Sequence, residues 1–297
     1  MYYNDDTILY HNGEWQPAAT ASTSVYGQTL HYGTGVFEGI RAYNVDGKAN
    51  LFRGRDHMER LIFSAHSIGI PFKMKSEALL KITYELLERN NIIEAYVRPL
   101  VFSGPMMSLS FPEETHIMIC CWPWQKLLGD QLTTLAISPY WRSHPRSCKI
   151  EAKVSGHYVN SILAATEARG RGYGDALQLD IDGHIAECSG ANFFFEREGI
   201  LYTPHRGHIL PGITRDTILQ ICKKKHIDVR QQRVSTFDVF GADGAFLTGT
   251  AAEVTGVKSL DDHPFKKPFQ ETLGYILQQE YEACTRRVDD WEPMIFV

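Results

Sequence analysis

Helices and strands interleave along both halves of the chain, which predicts a mixed α/β fold. Two observations carry that expectation. Apolar residues at helical spacing, such as Met58, Leu61, Ile62, Ala65 and Ile68, alternate with short β-branched and aromatic runs such as residues 96–102. The same mixture returns beyond Thr133, and no repeat or low-complexity segment interrupts it. A chain of 297 residues has room for two domains of ordinary size.

Each element follows from its local signals. Residues 8–15 read as a hairpin, because Asn12-Gly13 supplies the positive φ of a tight turn. Residues 36–43 are strand-like, and Leu51-Phe52 begins another short strand before a turn at Gly54. Asp56 then opens a helix as its N-cap. Residues 76–87 form a second helix, with Leu79, Leu80, Ile82, Leu86 and Leu87 apolar. Strands follow at 96–102 and 116–122. The pattern breaks after Pro123, so residues 125–132 are expected to link an N-terminal domain, 1–124, to a C-terminal one, 133–297. The second half opens with a strand at 133–137. Helices are expected at 158–169, 214–225 and 268–286, and strands at 176–180, 192–195, 200–202 and 244–247.

Composition excludes several classes of function. A net charge of -5 gives no basic footprint for nucleic acid. Lys223-Lys224-Lys225 reads as the solvated end of a helix. The opening residues lack the charged and apolar regions of a signal peptide, and no apolar run approaches the length of a membrane span. The six cysteines show no CxxC spacing, so neither a metal site nor a redox pair is indicated. Scattered thiols fit a reducing cytoplasm.

Lys153 stands between Ala152 and Val154, a poor setting for a solvated charge. A lysine taken out of water gives up its proton more readily and becomes a nucleophile able to trap an aldehyde. Glu187 follows 34 positions on, among Ile185, Ala186, Cys188, Ser189 and Gly190, a setting that calls for a partner. A lysine that traps an aldehyde and an acid that pairs a pyridinium nitrogen are what pyridoxal phosphate needs from a protein. Alone, each residue is more often a surface charge. Pro211-Gly212 before the helix at 214 offers free N–H groups and a dipole end to an anion, or makes an ordinary turn. Arg98, inside an apolar strand, needs an acidic partner from the protein or from a ligand.

Six segments in order sharpen this reading: His31-Tyr32-Gly33-Thr34-Gly35-Val36-Phe37-Glu38-Gly39-Ile40-Arg41, Ala95-Tyr96-Val97-Arg98-Pro99-Leu100, residues 152–158, Glu187-Cys188-Ser189-Gly190-Ala191-Asn192, Pro211-Gly212-Ile213-Thr214-Arg215-Asp216 and Thr248-Gly249-Thr250-Ala251-Ala252-Glu253. Together they resemble the branched-chain aminotransferases, which are fold-type IV pyridoxal 5'-phosphate enzymes, over residues 9–257. The resemblance implies a two-domain architecture in which a small N-terminal α/β domain precedes a large one carrying the cofactor lysine, Lys153. It implies that Arg60, Ile213, Thr214 and Thr250 contact the phosphate. Without it, Arg60 reads as a solvent-facing arginine on an amphipathic helix. Tyr158 would bond the phenolic oxygen of the cofactor, and Glu187 would keep the ring nitrogen protonated. Arg98, assisted by Tyr32, would take the side-chain carboxylate of glutamate or 2-oxoglutarate. Tyr96 and the amides of Thr250 and Ala251 would hold the α-carboxylate. Phe37, Met107 and Trp124 would wall the side-chain pocket. Tyr32 and Met107 would reach the site of a partner subunit, so a homodimer or higher homo-oligomer is expected.

The resemblance implies ping-pong transfer of amino groups between leucine, isoleucine or valine and 2-oxoglutarate. The sequence departs from the family pattern at Leu127, Lys149, Glu151, His157 and Ala191, which bears on substrate range. A D-amino-acid or R-amine transaminase and an aminodeoxychorismate-type lyase are rivals on the same fold. The strand holding Arg98 and the segment from Phe37 to Arg41 argue against the first.

Overall fold

The computed structural model describes residues 2–124, 131–288 and 290–296. Its elements, in chain order, are β1 (Ile8–His11), β2 (Glu14–Pro17), α1 (Gln28–Tyr32), β3 (Gly35–Phe37), β4 (Ile40–Val45), β5 (Lys48–Leu51), α2 (Gly54–Ser67), α3 (Ser76–Arg89), β6 (Ala95–Ser103) and β7 (Thr115–Pro123). Beyond the undescribed residues come β8 (Thr133–Ile137), α4 (Tyr158–Gly170), β9 (Asp175–Leu179), β10 (Ile185–Cys188), β11 (Asn192–Arg197), β12 (Ile200–Thr203), α5 (Ile213–Lys225) and β13 (Val229–Gln231). The chain then forms α6 (Thr236–Phe240), β14 (Gly244–Gly249), β15 (Glu253–Leu260), β16 (His263–Pro264) and α7 (Leu273–Thr285).

The described strands make two sheets. The first runs β2-β1-β7-β6-β4-β5, with β3 also on β6, and its pairings are antiparallel. The second runs β10-β9-β8-β15-β14-β11-β12-β13, with β16 on β15, and is mixed: β8 pairs in parallel with both β9 and β15, and β12 with β13. Strands at 8–123 thus form one sheet and strands at 133–264 the other. Most of the expected linker, residues 125–130, lies outside the described residues, as does Leu127.

Packing follows the apolar pattern. Met58, Leu61 and Ala65 of α2 and Leu79, Leu86 and Leu87 of α3 bury against Ile40, Val97, Val101 and Ile119 of the first sheet. In β11, Phe193 and Phe195 enter one core while Phe194 enters another, stacking on Phe246 at 4.9 Å. A strand apolar on both faces is therefore a central one, and burying each ring stabilises by roughly 2 kcal/mol. The Phe194 core also takes in Tyr43 and Phe52 from the first half, so one apolar cluster joins the two sheets.

Several boundaries differ from the sequence expectation. Glu38-Gly39 interrupts the run at 36–43, which becomes two strands. Leu51 ends a strand rather than beginning one. Asp56 is not the N-cap of α2: Arg53 holds that place in a left-handed conformation, and Asp56 sits in the first turn, taking a bond from Arg53 Nε at 2.6 Å. The last helix starts at Leu273, capped by Thr272, because Phe269–Glu271 forms a 3₁₀ turn. The eight-residue strand β15 has no counterpart in the expected elements; its glycine and lone lysine and serine obscured it. Among the described residues, no helix is long and apolar enough to cross a membrane.

Candidate active site

A cavity opens between the two sheets where β3 runs beside the lysine segment. Val36 bridges Val154, and Phe37 N–H donates to Lys153 O at 3.1 Å. Lys153 N–H donates to Ser64 Oγ of α2 at 2.9 Å, so helix and strand both fix the lysine backbone. Its half-buried side chain crosses the faces of Phe37 and Tyr158, each 4.7 Å from Nζ, and Nζ donates to Tyr158 Oη. Tyr158 can stand there because it opens α4, five residues after the lysine.

The anion end of the cavity is the N-terminus of α5. Gly212 is the N-cap, and the first-turn amides of Ile213 and Thr214 have no partner within the helix. A Cβ at Gly212 would lie 2.0 Å from Asn192 Oδ1, so this position needs glycine for close approach. Arg60 projects from α2 into the same end; its Nη1 donates to Pro211 O at 2.8 Å. Thr250 enters from the turn after β14, where Gly249 passes close to Gly190.

Glu187, buried on β10, backs the other side. Its Oε1 accepts from Arg142 Nε at 2.7 Å and from Leu210 N–H at 3.0 Å, and Oε2 accepts from Asn192 Nδ2 at 2.9 Å. Burial nevertheless keeps its carboxyl above the ordinary value; Arg142 and the Leu210 amide only partly offset the loss of water. The site therefore has electrostatic room for one more positive charge. Thr248 Oγ1, also in the wall, is buried without a hydrogen-bond partner among the described residues. A cationic heteroaromatic ring bearing a phosphate and an aldehyde fits all three features: Glu187, the α5 terminus and Lys153.

Of the residues singled out in the sequence, Phe37, Arg60, Tyr96, Arg98, Lys153, Tyr158, Glu187, Ile213, Thr214, Thr250 and Ala251 line this one cavity. Tyr96 fits because residue 39 is glycine; a Cβ there would lie 1.8 Å from its hydroxyl oxygen. Arg98 has no carboxylate partner among the described residues, its Nε is buried without a bond, and its guanidinium lies 4.7 Å over the Phe37 ring. Three residues are not in the cavity wall. Tyr32 and Met107 are 48% and 51% exposed, bonded to each other through Tyr32 Oη and Met107 O. Trp124 packs on Tyr96 at 5.0 Å.

Sequence reasoning assigned no role to Arg142, Asn192, Glu38 or Leu210. Asn192 ties Glu187 to Leu210 O, and Glu38 grips Arg60. Asn192 follows Glu187 within one of the family-like segments, which is a usable signal; Glu38, whose partners lie elsewhere in the chain, and Arg142, beside an aromatic in a loop, give weaker ones. Among the departures, Glu151 pairs with Arg206 at 3.0 Å, Ala191 lines the cavity, Lys149 is exposed, and His157 Nδ1 is buried without a partner among the described residues.

Comparison with known proteins agrees with this geometry. The family described as amino-transferase class IV matches residues 35–260. A branched-chain-amino-acid aminotransferase of Salmonella typhimurium is 38% identical over 261 residues, covering 85% of this chain and 84% of that protein. The crystal structure of the Escherichia coli branched-chain amino acid aminotransferase superposes with a TM-score of 0.91 at 34% identity, covering 97% of this chain and 98% of that one. That of the T.th. branched-chain amino acid aminotransferase, complexed with N-(5'-phosphopyridoxyl)-L-glutamate, has a TM-score of 0.88 at 35% identity over 95% of each chain. With its lysine, its buried acid and the N-terminus of α5 in one cavity, and on these matches, the chain belongs to the class IV aminotransferases, in the fold-type IV group.

Proposed function

We propose that this protein is a branched-chain-amino-acid transaminase that moves amino groups between leucine, isoleucine or valine and 2-oxoglutarate, using pyridoxal 5'-phosphate held in the cavity. The convergence of Lys153, Tyr158, Glu187 and the α5 N-terminus carries the reading. The T.th. relative bound to a phosphopyridoxyl-glutamate adduct supports it. When bound, the cofactor supplies an electron sink for charge developing at the substrate Cα.

Each residue then has a physical task. Lys153 Nζ anchors the cofactor and, once freed, takes and returns the Cα proton. Tyr158 Oη holds that nitrogen in place. Glu187 keeps the ring nitrogen cationic. The Ile213 and Thr214 amides, the Thr214 and Thr250 hydroxyls and Arg60 bind the phosphate. Tyr96 and the Thr250-Ala251 amides take the α-carboxylate. Arg98 meets the second carboxylate of glutamate, and Phe37 offers apolar surface. Borohydride reduction followed by peptide mapping should tag Lys153; a tag on any other lysine sinks the assignment. Transamination of 2-oxoglutarate by leucine, isoleucine or valine should be seen directly.

Tyr32 and Met107 lie outside the wall of their own cavity, so in this reading they complete a partner's. An apolar groove beside them, lined by Leu30, Leu100, Phe102, Met118 and Trp122, suits a second copy of the chain. A fully active monomer in sedimentation refutes the dimer. Among the described residues none of the six cysteines is in a disulfide, which suits a reducing cytoplasm.

A further inference from the structure

We propose that Glu38 and His57 are positioning residues that set which edge of Arg60 meets the cofactor phosphate. The inference rests on the pyridoxal phosphate reading. Glu38 is completely buried in the turn between β3 and β4, outside the cavity wall. Its Oε1 accepts from Arg60 Nε at 2.6 Å, and its Oε2 accepts from Arg60 Nη2 at 2.9 Å and from His57 Nδ1 at 2.7 Å.

The grip is bidentate and uses the Nε–Nη2 edge of the guanidinium. Nη1 is tied separately to Pro211 O, one residue before the N-cap of α5. An arginine has five N–H groups in a rigid plane. Three are committed, which leaves one on each Nη to meet an anion. The same contacts join β3, α2 and the phosphate-binding helix end through one side chain.

His57 completes the clamp. It precedes Arg60 by three residues on α2, so both reach Glu38 from one helix face. Glu38 is an ionised acceptor, so Nδ1 of His57 must carry the proton. Burial pushes the imidazole below its ordinary pKa, and Glu38 beside it only partly offsets that push. The phosphate is met by aimed donors and a helix end rather than by a free cation. Without Glu38, Arg60 would be a buried charge held only through Nη1 by the Pro211 carbonyl.

The test compares two ligands that differ only by the phosphate. Cofactor-free native protein, Glu38→Gln and His57→Leu are titrated with pyridoxal phosphate and with pyridoxal, following the absorbance of the bound aldehyde. The quantity read is the ratio of the two affinities. Glu38→Gln should lower that ratio by about tenfold or more, the scale of one charge-assisted hydrogen bond. His57→Leu should lower it less, and His57→Gln, which keeps a donor, should restore it. A Glu38→Gln ratio that stays level or rises overturns the proposal. So does a parallel loss for both ligands, because a merely structural residue would weaken both alike. If Glu38→Gln does not fold, equal ratios for His57→Leu and His57→Gln overturn it instead. Native protein that binds neither ligand overturns the cofactor reading itself.

Discussion

Glu38 and Glu187 are both buried, and each bonds to an arginine, yet burial and charge resolve in opposite directions. Loss of water pushes both carboxyls up. At Glu38, Arg60 and His57 outweigh that push and bring the carboxyl down to about 2. At Glu187, burial wins over Arg142 and the Leu210 amide, and the carboxyl stays raised. The first acid is balanced inside the chain; the second is left short of positive charge, facing a cavity. A balanced buried acid serves other groups of the chain, while an under-compensated one facing a cavity leaves room for a cationic ligand group.

Removing the amine that shares the cavity with Glu187 should have the largest effect. Lys153→Ala should lose roughly four orders of magnitude in transamination, since in the proposed function it deletes both anchor and proton carrier. Cofactor should still bind through the α5 terminus. Single-turnover absorbance with leucine measures this, and a near-native rate removes Lys153 from the chemistry.

Glu187→Gln separates the two acids. In the proposed function the ring nitrogen would lose its charged partner at the moment charge develops, so proton abstraction should slow by about 10²- to 10³-fold. Cofactor affinity should change little, the reverse of the pattern expected for Glu38→Gln. Near-native turnover in Glu187→Gln ends the ring-nitrogen role.

The contrast also has a pH signature. A depressed carboxyl contributes stability that is complete above its unfolded pKa and lost as pH falls through its folded one. For Glu38 that window lies between 4.5 and about 2. A raised carboxyl behaves oppositely, so the Glu187 contribution is lost as pH rises through its folded value. In cofactor-free protein, the stability advantage of native Glu38 over Glu38→Gln should shrink by roughly 2 kcal/mol between about pH 6 and about pH 3. Urea unfolding at each pH reads it, and a gap independent of pH contradicts the ionised Glu38.

These partnerships explain what the sequence could and could not disclose. The helix faces of Met58, Leu61 and Ala65, the Asn12-Gly13 turn and the strand at Thr133 were legible because local periodicity and turn chemistry fix them. Lys153, Glu187 and Gly212 stood out because each breaks its surroundings. Arg142 and Glu38 did not, because their partners are 45 and 22 residues away and nothing local requires either charge to be buried. Arg60 illustrates the same limit: its helix is amphipathic, but only tertiary packing turns it toward a cavity instead of water.

Arg98 extends the comparison to the substrate end, where compensation within the described chain is missing altogether. Its Nε is buried without a bond, and its charge rests on the faces of Phe37, Tyr96 and Trp122. Such contacts hold a cation modestly, about 0.5–2 kcal/mol each, while leaving its donors free. That suits a pocket which must take leucine at one half-reaction and glutamate at the other. In the proposed function the guanidinium would stay on the rings with leucine bound and would gain a carboxylate with glutamate bound. Arg98→Met should therefore cost the glutamate half-reaction roughly 1.5–3 kcal/mol, the worth of a charge-assisted hydrogen bond. The thioether can fill the space over Phe37, so leucine, isoleucine and valine should lose much less. Single-turnover rates with each donor decide it. Equal losses would make Arg98 structural, and a native protein inactive with every L-branched donor would point instead to a D-amino-acid transaminase or a lyase.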